Sequence, residues 1–302
     1  MTTITHTLAG SDGRVGLYDD QPNTTTGSGF GTRTTFSNFS LDGTTPRQPA
    51  QHFYALGCTN RKRCLNWRFI IGGASNKQAL LRALGPTLSR FGVSGVLVDP
   101  TLELHDSTGA LITSNDNWKD TQQSQIMATG KAPPNALESA ILRSLAPGNY
   151  TAIVRGKNNT TGVALVEAYD LDQSISTTLT NISTRGFVNT GNNVMIGGFI
   201  SGNGAVNVIA RALGPTLTQF GVPNVLADPT LELRDVNGTL IASNDNWKDT
   251  QQAEIQASGF APPNAVESAI IVTRPAGNAT AIVRGKNNTT GDALVEAYVL
   301  PP

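Results

Sequence analysis

The chain is poor in the residues that most enzymes use for proton transfer and metal binding. It has three histidines (His6, His52 and His105) and two cysteines (Cys58 and Cys64) in 302 residues. His105 becomes Arg234 in a second copy of the same sequence block, so a Ser-His-Asp or Cys-His arrangement lacks a credible base. No GxSxG, HExxH, phosphate-binding loop or dinucleotide fingerprint stands in a strand-turn-helix context. Charge of either sign is sparse too: Lys plus Arg and Asp plus Glu number 22 each, 15% of the residues in all. That balance supplies no basic field for nucleic acid or an anionic membrane. No run approaches the roughly 18 apolar residues a membrane helix needs. The opening MTTITHTLAGSDGR lacks the basic-then-apolar order of a signal peptide, so an export signal is not expected in this chain.

What is present is a repeat. Arg82 to Leu171 matches Arg211 to Leu300 without a gap, at a constant offset of 129 (211 minus 82) and about 70% identity. The shared blocks are RALGPTL, DPTLEL, SNDNWKDTQQ, APPNA, ESAI, TAIVRGKNNTTG and ALVEAY. Between turn signals lie short alternating runs at 79–84, 101–106, 110–114, 137–143, 150–155 and 163–169, which predict strands. Asp106-Ser-Thr-Gly109 and Asp235-Val-Asn-Gly238 fit tight hairpin turns. Only 87–91, opened by Pro86, and 118–128, opened by SNDN, look helical. The expectation is an all-β chain of two tandem antiparallel β-sandwich modules, jelly-roll-like, each of seven or eight strands with short helical caps.

The order DPTLEL, D-x-x-G-x-L-I, SNDN, ESAI, PGNYTAIVRG, ALVEAYDL resembles the pre-peptidase C-terminal type of domain, repeats of which are appended to large secreted bacterial proteins. Residues 13–42, with GRVGLYDD and TFSNFSLD, resemble the closing strands of a concanavalin-like jelly roll. These resemblances imply an extracellular or cell-surface location and say little about activity. The expected organisation is therefore a jelly-roll remnant over 1–44, a linker or frameshifted segment over 45–68, module one over 69–171 and module two over 172–302.

The frameshift expectation rests on residues 51–68, QHFYALGCTNRKRCLNWR, which share almost nothing with the corresponding NISTRGFVNTGNNVMIGG. Codons legal for the written residues, read from the second base, spell NISTRLGARTGNDALIGG, which matches at about 11 of 18 positions. The alternative is a divergent strand pair, in which a Cys58–Cys64 disulfide or half a metal site becomes conceivable. On the frameshift reading, Cys58, Cys64 and Trp67 carry no selected chemistry.

Three constellations are candidates for binding. Asp106, Asn115, Asp116, Asn117 and Asp120, with Asp235, Asn244, Asp245, Asn246 and Asp249 in the second copy, cluster oxygen ligands of the kind Ca²⁺ takes about six to eight at a time. Ser114-Asn-Asp-Asn117 reads equally as a helix N-cap that needs no metal. Trp118 and Trp247 would serve as sugar platforms or as core plugs. The RGKNNTTG loops carrying Arg155 and Arg284 are explained either by turn geometry or by a binding edge. Carboxylate pairs drawn from Glu103, Asp106, Asp116, Asp120, Glu138 and Glu167 suit a glycosidase only at the proper separation, and Arg82, Arg143 or Arg155 facing them across the sheet is the plainer reading. The expected function is non-catalytic: structural or adhesive repeats of a large secreted bacterial protein. The alternative is a carbohydrate-binding module. Polysaccharide, cell-envelope components or other copies of the module are the expected partners.

Overall fold

The computed structural model describes residues 52–59, 65–171, 178–191, 193–201, 205–275 and 277–300. The jelly-roll remnant expected over 1–44 lies outside these, as does Cys64. Module one contributes β1 (His52–Thr59), β2 (Leu65–Gly72), β3 (Lys77–Leu84), β4 (Pro100–His105), β5 (Leu111–Asn115), the short helix α1 (Gln123–Ala128), β6 (Ser139–Leu145), β7 (Gly148–Gly156) and β8 (Gly162–Asp170). Module two repeats the order with β9 (Thr178–Val188), β10 (Met195–Ser201), β11 (Val206–Leu213), β12 (Pro229–Arg234), β13 (Leu240–Asn244), α2 (Gln252–Ala257), β14 (Ser268–Arg274), β15 (Gly277–Gly285) and β16 (Gly291–Leu300). The fold is all-β and antiparallel, and the six strands expected in each repeat form within about two residues of the sequence boundaries. Of the stretch expected as linker or frameshifted segment, 52–59 and 65–68 lie in β1 and β2.

The local chemistry of each hairpin is visible. Asp106 Oδ1 accepts the N–H groups of Thr108 and Ala110 at 2.8 and 3.0 Å, and Gly109 takes the positive φ of 86° that closes the turn into β5. The 3₁₀ turn Pro86–Phe91 follows β3 at Gly85, where a Cβ would overlap the carbonyl oxygen of Leu97. Gly214 meets Leu226 in the same way, which accounts for the glycine in both RALGPTL blocks.

Strand pairing joins the two modules into one body. One sheet runs β6-β3-β8-β1-β10-β15-β12-β13; the other runs β14-β11-β16-β9-β2-β7-β4-β5. Each sheet therefore holds four strands of each module, and the sheets touch at the centre where Cys58 of β1 pairs with Phe187 of β9. Alternate residues of both sheets face one shared core: Ala79, Leu81 and Ala83 of β3, Leu102 and Leu104 of β4, Val208, Ala210 and Ala212 of β11, Leu231 and Leu233 of β12. The outer face of each sheet is covered in part by the excursion between β5 and β6, or between β13 and β14. Under the first excursion lie Leu80, Trp118, Ile126, Leu142 and Tyr169; under the second, Ile209, Trp247, Ile255 and Ile271.

Candidate functional site

Three repeated sequence blocks converge at one corner of each module. Lys157, from RGKNNTTG, places its ammonium 2.5 Å from Asp116 Oδ2 of SNDN and 3.7 Å from Asp99 Oδ2 of the DPTLEL block. Lys286 does the same with Asp245 and Asp228, at 2.6 and 3.5 Å. The Asp116 hydrogen bond, reinforced by both carboxylate charges, holds the Lys157 pKa above that of an ordinary lysine. Lys157 N–H also donates to the Asp99 carbonyl at 2.9 Å, so the loop is tied by its main chain as well as by its side chain. Asn158 and Asn159 both adopt left-handed φ angles, 54° and 60°, and Thr160 returns its N–H to the Lys157 carbonyl at 3.1 Å. These contacts set the turn geometry of RGKNNTTG in both copies.

The SNDNWKDTQQ block closes the edge of the neighbouring sheet. Asn115 Oδ1 accepts the Ala140 N–H at 2.9 Å, and the Gln122 side-chain amide both accepts from Leu142 N–H (3.0 Å) and donates to the Leu142 carbonyl (2.9 Å). Ser139 Oγ donates to the carbonyls of Asp116 and Pro100. Asn244, Gln251 and Ser268 repeat every one of these contacts on β14. The side chains stand in for the missing neighbour of an edge strand.

Beneath the excursion the titratable groups are paired. Arg82 on β3 faces Glu167 on β8, as the strand register requires, with its Nε 2.8 Å from Glu167 Oε2, Nη2 2.7 Å from Tyr169 Oη and Nη1 2.7 Å from the Lys131 carbonyl. Burial opposes the charge on Arg82, but the Glu167 carboxylate more than offsets it and leaves the pKa raised. Burial, with Glu167 next to it, pushes the Tyr169 hydroxyl well above its usual value. In module two Arg211 pairs with Glu296 and Tyr298 donates to Glu296 at 2.9 Å, while the buried Arg211 Nε has no hydrogen-bond partner. Glu138, fully buried, receives Gly85 N–H and Thr87 N–H on Oε1 (3.1 and 2.8 Å) and Thr87 Oγ1 and Asn135 N–H on Oε2 (2.8 and 3.1 Å). Such a carboxylate anchors the Pro86–Phe91 turn and presents no free oxygen to a substrate.

Several sequence expectations are corrected by these placements. Trp118 and Trp247 are 5% and 4% exposed, and their indole N–H groups donate to the Asn135 and Asn264 carbonyls at 3.0 Å. They plug the small core under the excursion and offer no face to a sugar. The calcium set is not assembled. Asp106 sits at the turn end of the β4–β5 hairpin and Asn115 at the other, roughly four strand residues or about 13 Å away, and Asp235 and Asn244 are separated alike. Asn115 bridges Asn117 and Ala140, Asp116 holds Lys157, and Asp120 accepts the Asn117 amide at 3.1 Å, with Asn244, Asp245, Asn246 and Asp249 following suit. One oxygen each of Asp99, Asp116 and Asn117 is buried without a hydrogen-bond partner. A cation there would compete with an ammonium already bonded to Asp116, and among the described residues no three His, Cys, Asp or Glu side chains are grouped to hold a metal. The helix expected over 118–128 is shorter, α1, and has no side-chain cap, because the SNDN side chains are engaged across the fold. Arg155 is half exposed, 3.6 Å from Glu103, and Arg284 donates to the Gly191 carbonyl at 3.1 Å.

His105 is a contact residue. Its Nε2 lies 3.0 Å from Glu103 Oε2 and its Nδ1 3.0 Å from the Gly109 carbonyl. Arg234 makes the equivalent two contacts, to Glu232 and to the Gly238 carbonyl. His and Arg thus fill the same bridging role in the two copies.

No protein-family model and no curated protein matches the chain. Among solved structures, the major capsid protein P2 from bacteriophage PM2 aligns over 83% of this chain and 98% of its own, at 10% identity and a TM-score of 0.21. PNGF-II aligns over 86% of this chain and 58% of its own, at 11% identity and a TM-score of 0.22. YhaK from Escherichia coli aligns over 90% and 94%, at 13% identity and a TM-score of 0.19. Likenesses at that level carry no argument about this chain.

A shallow depression of about 360 Å³ lies beside β12 and β13, lined by Thr230, Glu232, Ser243, Asp245, Asp249 and Thr250 among others. It presents hydroxyl and carboxylate oxygens and no aromatic ring. No helix among the described residues is long and apolar enough to cross a membrane.

Proposed function

We propose that this chain is a non-catalytic pair of structural or adhesive modules from a large secreted or cell-surface bacterial protein. One observation carries the reading: the polar side chains of the repeated blocks, Asn115, Gln122, Glu138, Lys157 and Glu167, are all engaged in closing edges, anchoring turns and pairing charges within the sandwich. A hydrolase needs carboxylates with free oxygens facing a cleft, whereas Glu138 and Glu167 are enclosed. The resemblance to pre-peptidase C-terminal repeats supports the extracellular setting. Carbohydrate binding is the second reading, favoured by the hydroxyl- and carboxylate-lined depression beside β12 and β13. Affinity electrophoresis of the whole chain against a panel of polysaccharides separates the two: unchanged mobility supports the structural reading, and retardation abolished by Glu232→Ala together with Asp249→Ala supports the second. Turnover of any glycoside or peptide substrate by the purified chain would overturn both.

A further inference from the structure

We infer that the strand pairs β1/β2 and β9/β10 form a homotypic docking interface whose partner is a second copy of the same module, in cis within this chain and in trans wherever a module stands alone. On one side β1 bonds β8 of its own module; on the other it bonds β10 of the next, with Phe53 opposite Phe199 and Leu56 opposite Ile196. Correspondingly β9 bonds β16 on one side and β2 on the other, with Ile182 opposite Phe69 and Arg185 opposite Asn66. Adding 129 converts Phe53 and Leu56 to Ile182 and Arg185, and subtracting 130 converts Phe199 and Ile196 to Phe69 and Asn66. The two contacts are therefore one contact made twice, the signature of an isologous, two-fold interface. A module without its neighbour would leave one strand unpaired in each sheet, facing solvent at what is now the centre of the molecule.

Side chains show which pairing fits best. Phe91 of module one is nearly buried at 9%, because it joins Leu88, Val163 and Leu165 of its own module to Val194, Ile196 and Ile282 of the other. Its counterpart Phe220 is 75% exposed. At the positions that correspond by strand register to Ile196 and Val163, the other half carries Asn66 and Asp292. A pair made of two second modules would set Val194, Ile196 and Ile282 opposite both copies of Phe220. The interface thus has a matched half and an unmatched half, and a second copy of module two in trans completes the unmatched one.

The test begins with the full chain. A protease site is engineered at residues 172–177, between β8 and β9, and the chain is cut under native conditions. Unlabelled and isotopically heavy samples are cut, mixed and followed by native mass spectrometry. The expected result is that the halves stay together after cutting, and that on incubation a species appears with the mass of two second modules, including light–heavy hybrids. Phe220→Ala in module two should reduce that species relative to the mixed pair. Halves that separate on cutting, or a mixture in which only one-to-one pairs of the two different modules ever form, would overturn the inference. It concerns strand pairing alone, so an unexpected enzymatic activity would sink the structural reading above and leave this one standing.

Discussion

The side-chain amide of Gln122 grips the main chain of Leu142 on both sides, accepting its N–H at 3.0 Å and donating to its carbonyl at 2.9 Å. This imitates the ladder that a further strand would make on β6, and Gln251 does the same for Ile271 on β14. Each removal leaves a buried-edge donor and acceptor open to water or to another chain, at about 1–3 kcal/mol. Gln122→Ala combined with Gln251→Ala should lower the urea midpoint, speed amide exchange at Leu142 and Ile271, and produce concentration-dependent association seen by light scattering. Unchanged exchange at those two amides would show that the clasp does not protect the edge.

Trp118→Ala and Trp247→Ala empty the small cores under the two excursions, where Leu80, Ile126 and Leu142, or Ile209, Ile255 and Ile271, surround the indole. Each should cost about 3–5 kcal/mol of stability by denaturant titration. A sugar-platform role would instead leave stability nearly unchanged and alter ligand binding.

Alkaline pH should weaken the fold in a defined window. Burial, with the Glu296 carboxylate beside it, pushes the Tyr298 hydroxyl up from 10.0 to about 12. Between about pH 10 and about 12 the unfolded chain releases this proton while the folded one keeps it, so stability falls as pH rises. Tyr169, shifted in the same direction, adds to the loss. Absorbance titration at the tyrosinate band should reveal late-titrating tyrosines, and Tyr298→Phe should flatten the pH dependence of the urea midpoint across that window.

The β2 end of the segment 51–68 sits poorly in the first module. Trp67 is fully buried with its indole N–H unpartnered, in the strand position that Gly197 holds in β10, and Phe220 is left uncovered. Replacing 51–68 by the sequence of 181–198 should restore the apolar ground under Phe220 and raise stability by about 1.5–3 kcal/mol, read from the urea midpoint. The DNA across the same codons gives an independent check, because a second-base frame spelling NISTR to LIGG would identify the shift directly. An unshifted frame, with no gain from the graft, would make the segment a genuine divergent strand pair.

Calcium in excess, or a chelator, should leave Tm unchanged, because the Lys157 and Lys286 ammonium groups already hold the aspartates at the corner where the loops meet. A calcium-dependent rise would show that the unpartnered oxygens of Asp99 and Asp116 are ligands.

Local chemistry made the strands and turns of each module readable from sequence: alternation along DPTLEL and TAIVRG, the Asp106 and Asp235 turns, and Pro86 opening its short helix all act within a few residues of chain. The pairing of Arg82 with Glu167 was likewise within reach, since facing strands of opposite charge suffice. Tertiary structure alone decided that Trp118 is a plug, that the side chains of Asn115 and Gln122 close an edge strand, and that the two modules share their sheets. These depend on which strand ends a sheet and which strand lies beside it, relations set by burial and main-chain pairing between segments far apart in sequence, where residue spacing carries no distance information.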